Sequence, residues 1–169
     1  MLRQMFNNFI LSKINSERII MQLDGLDRKL ISELIKDGRA SQRQLAKLLD
    51  VSQGTITNRL SKLHAEGIIR GYSIDIDPEK VGWDMTVMVA LRIEKGMMIN
   101  VQQSIAADSR VIAVYDVTGE YDSMVIARVT GREDLNDLTK NVLSIEGISR
   151  SFTHVVLNTV KESGVSLPK

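Results

Sequence analysis

The sequence predicts an α+β chain in two parts. Three helices ending in a helix-turn-helix come first, followed by the succession strand, helix, strand, strand, helix, strand. Three observations predict it. Residues 41–66, SQRQLAKLLDVSQGTITNRLSKLHAE, hold two helical periods joined by a turn too short for anything but a sharp helix-to-helix bend. After residue 84 the apolar pattern changes from helical spacing to short β-branched runs. Between them DIDPEKVG (75–82) carries Pro78, Gly82 and four charges, the mark of a boundary.

The elements follow in order. In residues 1–22, Leu2, Met5, Phe6, Phe9, Ile10 and Ile14 keep helical spacing. An amphipathic extension packing on a second subunit is the favoured expectation. A fraying tail, or translation starting in truth at Met21, is the alternative. Asn7, Asn8 and Ser12 break the apolar run, which argues against a secretory signal. Residues 23–74 form the helical domain. Its first helix, 24–37, has Leu26, Leu30, Ile31, Leu34 and Ile35 on one face, Asp24 and Asp27 at its positive end, and Gly38 as a left-handed cap. Ser41 and Gln44 form a capping box ahead of Leu45, Leu48 and Leu49. Ser52 caps the next helix, and Gly67 ends it. Ile68 to Tyr72 reads as a short strand or wing.

The helix beginning after Ser52 carries the functional signal. Ile56, Leu60 and Leu63 make a buried stripe. The opposite face holds Gly54, Asn58 and Ser61, flanked by Thr55, Thr57 and Lys62. Small and amide side chains let a backbone approach a groove floor, and Asn can bond adenine through two atoms. Most polar helix faces are merely solvated, but the capped helix and tight turn ahead of this one favour groove reading. Charge points the same way. The whole chain is only +1. Residues 39–72, however, carry Arg39, Arg43, Lys47, Arg59, Lys62 and Arg70 against Asp50 and Glu66, whereas residues 73–169 are net acidic. A polyanion would meet the first region favourably. The expected DNA contacts are Arg43, Ser52, Gln53, Thr55, Thr57, Asn58, Arg59, Ser61, Lys62 and Arg70.

Residues 75–83 are the expected hinge and 84–162 the second domain, with 163–169 as a tail. Strands are predicted at 86–94, 111–118, 121–129 and 148–160, and helices at 99–108 and 132–143. Gly119-Glu120 is the expected tight hairpin turn. This order is the ferredoxin-like βαββαβ arrangement, with both helices on one face of an antiparallel sheet. Ala90, Val114 and Val156 suggest that the other face is partly apolar, so sheet-to-sheet dimerisation is expected.

Composition narrows the function classes. At 169 residues there is room for one or two small domains. Hydrophobic content of 43% is ordinary, and aromatics at 4% imply an aliphatic core. With no Cys, disulfides and thiolate metal sites are excluded, and a reducing cytoplasm suits the chain. No apolar run reaches bilayer-spanning length. No catalytic Ser/His/Asp set, phosphate loop or metal-ligand spacing is present, so neither metal nor cofactor is expected.

Taken together, LDGLDRKLISELIKDGRASQRQLAKLLDVS, RLSKLHAEGIIRGY, VTGEYDSMVIARV and IEGISRSFTHVVL resemble, in order and spacing, the leucine-responsive/asparagine (Lrp/AsnC) family of transcription regulators. The resemblance runs from about Leu23 to Glu162. It implies a winged helix-turn-helix joined to an amino-acid-sensing ferredoxin-like domain, which binds double-stranded DNA and controls transcription. It also implies homodimers that assemble to tetramers or octamers. Family effector sites lie around the central hairpin and last strand. Carried over, they point to Gly119, Tyr121 and Asp122, with Ser151, Thr153 and His154. Gly119 would let a ligand approach the backbone and Asp122 would meet an ammonium. The plainer alternatives are a hairpin glycine and a turn-capping carboxylate. Asn58-Arg59 and Ser61 replace basic residues common in the family, which shifts weight to Asn58, Gln53 and Thr55. His154 stands where an aromatic is common. Some tetrapyrrole decarboxylase subunits resemble the same architecture, but their chemistry needs clustered His, Arg and Tyr. This chain has only His64 and His154, in different domains. A pure assembly module is a third reading.

Overall fold

The computed structural model describes residues 22–168. The expected extension therefore lies outside the described residues, apart from Gln22. The chain divides into two compact units. The first comprises the described residues up to Ser73 together with those from Gly164, and the second is Ile74–Ser163.

In the first unit α1 spans Gly25–Lys36, α2 Gln42–Leu49 and α3 Gln53–Ala65. Each begins where a side chain satisfies free amides. Asp24 accepts from Leu26 N (2.9 Å) and Asp27 N (2.8 Å), with Asp27 reaching back to close a capping box. Ser41 and Gln44 form the box expected at α2. Ser52 accepts from Thr55 N at 3.1 Å. Asp50 bridges α2 and α3 in the left-handed region (φ 53°), a conformation that Asp tolerates better than most residues. Gly67 ends α3 at φ 67°. Gly38 is not the left-handed cap predicted for α1. There Asp37 takes an extended conformation and Gly38 keeps an ordinary φ.

Leu30, Ile31, Leu45, Ala46, Ile56, Leu60 and Leu63 form the core of this unit. Ile35 and Leu48, predicted on the same faces, are exposed at 54% and 64%. The expected wing strand is absent. Ile68 and Ile69 instead donate their amides back to Leu63 O (3.0 and 3.1 Å) and lay their side chains on the core. The expected tail is not free either. Leu167 packs on this core, and Arg28 Nη1 donates to Pro168 O at 3.1 Å.

The second unit is a four-stranded antiparallel sheet in the order β2-β3-β1-β4. The strands are β1 Met85–Ile93, β2 Val111–Asp116, β3 Ser123–Val129 and β4 Ile148–Val155. Helix α4 spans Met98–Ala106. The second predicted helix is a short α5, Arg132–Asp137, which widens into a π-helical turn over Leu138–Val142. Both pack on one sheet face, where Val87, Val89, Leu91, Val125, Ala127 and Val129 meet Val101, Ile105, Leu138 and Leu143. Residues of the expected hinge belong to this unit, with Trp83 N bonding Pro78 O and Asp84 N bonding Val129 O.

Register assigns the open face. Met88, Ala90 and Arg92 of β1 pair with Ile126 and Met124 of β3 and with His154, Phe152 and Arg150 of β4. Val114 pairs with Val125 and packs on the helix side, contrary to its predicted place on the open face. Met88, Tyr115 and Phe152 remain 39%, 53% and 38% exposed.

Arg110 fastens the helices to the start of β2. It donates to Asp108, Asp134 and Asp137 at 2.7–2.9 Å. The guanidinium holds Asp108 and Asp137 below the ordinary carboxylate value. For Asp134 the amide of Thr130 is the larger cause and Arg110 a further one. Arg110 is raised in turn, chiefly by Asp108.

Candidate nucleic-acid interface and effector region

Ile56, Leu60 and Leu63 turn one side of α3 into the core, and the far side faces out. Gln53, Gly54, Asn58, Ser61 and Lys62 are exposed there. A Cβ added to Gly54 would meet only Ser52 Oγ, at 3.8 Å, so the surface is open at that point. Arg43 and Arg70 are exposed as well. No ion pair among the described residues engages Arg43, Lys62 or Arg70. Unpaired cations of this kind are what phosphate neutralisation requires.

Other predicted contacts are already committed. Ser52 Oγ caps α3 and lies 2.9 Å from the half-buried Thr55 hydroxyl. Thr57 Oγ1 shares its proton between Gln42 Oε1 (2.6 Å) and Gln53 O (3.0 Å). Arg59 is the most tightly held of them. Its guanidinium is not a free cation facing a duplex but is paired with Asp24 and, at 3.1 Å, with Asp27. Asp27 is 1% exposed. The Asp27 amide and then Arg59 hold Asp24 below the ordinary carboxylate value, while Asp24 and then Asp27 raise Arg59.

Sequence reading missed Gln42 and the burial of Asp27. A signal existed for the second. Asp27 stands one turn after Leu23 and three residues before Leu30, on the apolar side of α1, where a carboxylate requires a partner.

In the second unit the predicted effector residues do not form one cluster. Gly119 (φ 123°) lies in a Val117–Asp122 loop longer than the tight turn expected. Tyr121 meets Phe152 edge to face at 5.5 Å, with Arg150 over the other ring at 5.6 Å from its centroid. Ser151 and Thr153 pair with Leu91 and Val89 on the helix side of the sheet. His154 pairs with Met88 and lies on the open side. Asp122 serves the fold, because its Oδ2 accepts from Ile93 N at 2.8 Å, beside the irregularity between Arg92 and Ile93. Arg92, also unforeseen, grips the loop through Glu120 O and Oε1, both at 3.1 Å.

Comparison with known proteins bears on both units. Residues 23–70 match the winged helix-turn-helix DNA-binding family, and residues 86–166 match the Lrp/AsnC ligand binding domain. An HTH-type transcriptional regulator from Pyrococcus horikoshii is 46% identical, over 84% of this chain and 96% of its own length. The FL11 transcriptional regulator of the same organism is 33% identical, over 83% and 93%. Among solved structures, Escherichia coli AsnC superposes with a TM-score of 0.79 at 25% identity, over 84% of this chain and 97% of that one. A Neisseria meningitidis transcriptional regulator in complex with L-Met gives 0.79 at 26%, over 86% and 96%. An outward-facing helix behind a capped helix and sharp turn, a βαββαβ sheet after it, and relatives matched over nearly their full lengths place this chain in the Lrp/AsnC family of DNA-binding transcriptional regulators rather than among enzymes.

Proposed function

We propose that the chain reads operator DNA in the cytoplasm with the exposed face of α3 and responds to an amino acid or a related small molecule. The observation that carries the first part is the open face of Gly54, Asn58 and Ser61, with Lys62 beside it and the apolar stripe buried behind. Asn58 is assigned base-edge contact, with Gln53 and Ser61 next to it. Arg43, Lys62 and Arg70 are assigned phosphate contact. Ser52 and Thr55 act at the helix N-terminus, where backbone amides also favour an anion.

The amino-acid response is supported by the match to a ligand binding domain and by the L-Met complex of the Neisseria relative. Gly119 and Tyr121, with Ser151 and Thr153 on one side of the sheet or His154 on the other, are the residues proposed to meet it. Asp122 contributes only its free Oδ1. The half-exposed Met88, Tyr115 and Phe152 support a homodimer through the open sheet face, assembling further to tetramers or octamers.

Selection of bound genomic fragments, with and without L-methionine and the other amino acids, tests both parts. Recovered sites are expected to be near-palindromic and to bind with a steep salt dependence. Recovery of random fragments would remove the sequence-reading assignment. Identical recovery with every amino acid would remove the effector assignment.

A further inference from the structure

The apolar stripe of α3 seals the core and sets the roll of the helix only coarsely, since dispersion contacts have little direction. Two polar contacts flank that stripe. Seen down the helix from Ile56, Arg59 lies about 60° to one side and Thr57 about 100° to the other. Arg59 reaches Asp24 and Asp27 at the start of α1. Thr57 reaches Gln42 in the first turn of α2. One helix is thus held from opposite flanks by two different neighbours.

We infer that the Arg59–Asp24–Asp27 and Thr57–Gln42 contacts are clamps that fix the roll of the recognition helix, and so determine which side chains confront the bases. This rests on the groove-reading role proposed for α3. Arg59, Asp24, Asp27, Thr57 and Gln42 are positioning residues. The geometry supports that role in three ways. Asp27 is too buried to touch a duplex, and a carboxylate would repel phosphate in any case. Arg59 donates to two carboxylates at once, an arrangement stronger and more directional than a single contact. Asp24 also caps α1, so the clamp is anchored on a helix end already fixed by its own hydrogen bonds. A small roll of α3 would move Asn58 off the axis on which a bidentate base contact is made.

The full chain tests this. Its preferred duplex is first selected from a random-sequence library. Affinity is then measured on that duplex and on a scrambled one, over a series of salt concentrations. Asp24→Asn with Asp27→Asn preserves the capping acceptors but releases Arg59. The expected result is at least a tenfold fall in the preferred-to-scrambled ratio. Binding to scrambled DNA should be undiminished, and its salt slope steeper by about one, because a freed cation joins the interface. Asp24→Asn alone gives the weaker form of the same result if the double variant does not fold. Thr57→Val is expected to lower the ratio with the slope unchanged, and Thr57→Ser to restore it. Gln42→Ala is expected to add nothing to Thr57→Val. An unchanged ratio in the acid variants overturns the first clamp. Losses from Thr57→Val and Gln42→Ala that multiply overturn the second, since the two residues would then touch DNA separately. Failure of the unsubstituted chain to prefer any sequence removes the groove-reading face itself, and is recognised before any variant is made.

Discussion

The amide of Ile93 donates to Asp122 Oδ2 across 2.8 Å, tying the end of β1 to the loop that precedes β3. The Asp122 amide returns a bond to Leu91 O at 2.9 Å. A residue that the family resemblance marks for ligand binding is therefore also a fastening of the sheet. Asp122→Ala is expected to lower stability by about 1–3 kcal/mol, since it strands a partly buried donor. Asp122→Asn keeps an acceptor for Ile93 and removes the charge. Urea unfolding alongside ligand titration separates the two roles. If Asp122→Asn unfolds like the wild type yet no longer responds to any amino acid, the charge serves the ligand.

Arg110 and its three carboxylates give the second unit an acid-sensitive fastening. Asp108, Asp134 and Asp137 lie below their ordinary value when folded. A depressed folded value means that stability is fully present above the unfolded value, about 3.9, and is lost as pH falls through the folded values. Arg110→Met is expected to lower the unfolding midpoint at pH 7 and to change it less at an acid pH, where the carboxylates take up protons and release the guanidinium. Equal losses at the two pH values would show that Arg110 acts by packing instead.

Gly147 and Gly119 both take positive φ, but in different surroundings. At Gly147 (φ 91°) a Cβ would lie 2.9 Å from both Met97 and Val101 of the helical layer. At Gly119 (φ 123°) nothing stands within 4 Å. Gly147→Ala is expected to cost about 3 kcal/mol, combining backbone strain with overpacking. Gly119→Ala should cost less, about 1–2 kcal/mol, from strain alone. Thermal unfolding of the two variants ranks them, and a reversed ranking refutes the packing argument.

On the outward face of α3, Asn58→Ala should reduce discrimination between preferred and scrambled DNA more than it reduces overall affinity. Base-edge contacts carry sequence information and phosphate contacts do not. Lys62→Gln should do the opposite, weakening both duplexes alike and lowering the salt slope by about one. Equal losses on the two duplexes for Asn58→Ala would take Asn58 out of the base-reading set.

The helices were legible because Ser41, Ser52 and the Leu and Ile spacing act locally. The four strands were legible because β-branched runs alternate with turn residues. What escaped the sequence was set by tertiary partners. Arg59 reads as a phosphate contact until Asp27 is seen buried 32 residues away. Val114 changes sides because an irregularity between Val111 and Ala113 shifts β2 by one residue against β3. The last strand stops at Val155, opposite Val87, with one further bond from Val156 N to Thr86 O, although the β-branched run continues. The effector residues come from two stretches, the hairpin loop and β4, and alternation along β4 puts His154 on the opposite face from Ser151 and Thr153.

The sheet order has a consequence during synthesis. Strand β1 sits between β3 and β4, yet β4 is translated some fifty residues after β1. In that interval Val87, Val89 and Leu91 lie on a strand with one flank unzipped, a template for sticking to other nascent chains. The helical unit gains a further contact later still, when Leu167 packs on its core. Nascent chains stalled before residue 148 should therefore depend on chaperones far more than the finished protein does.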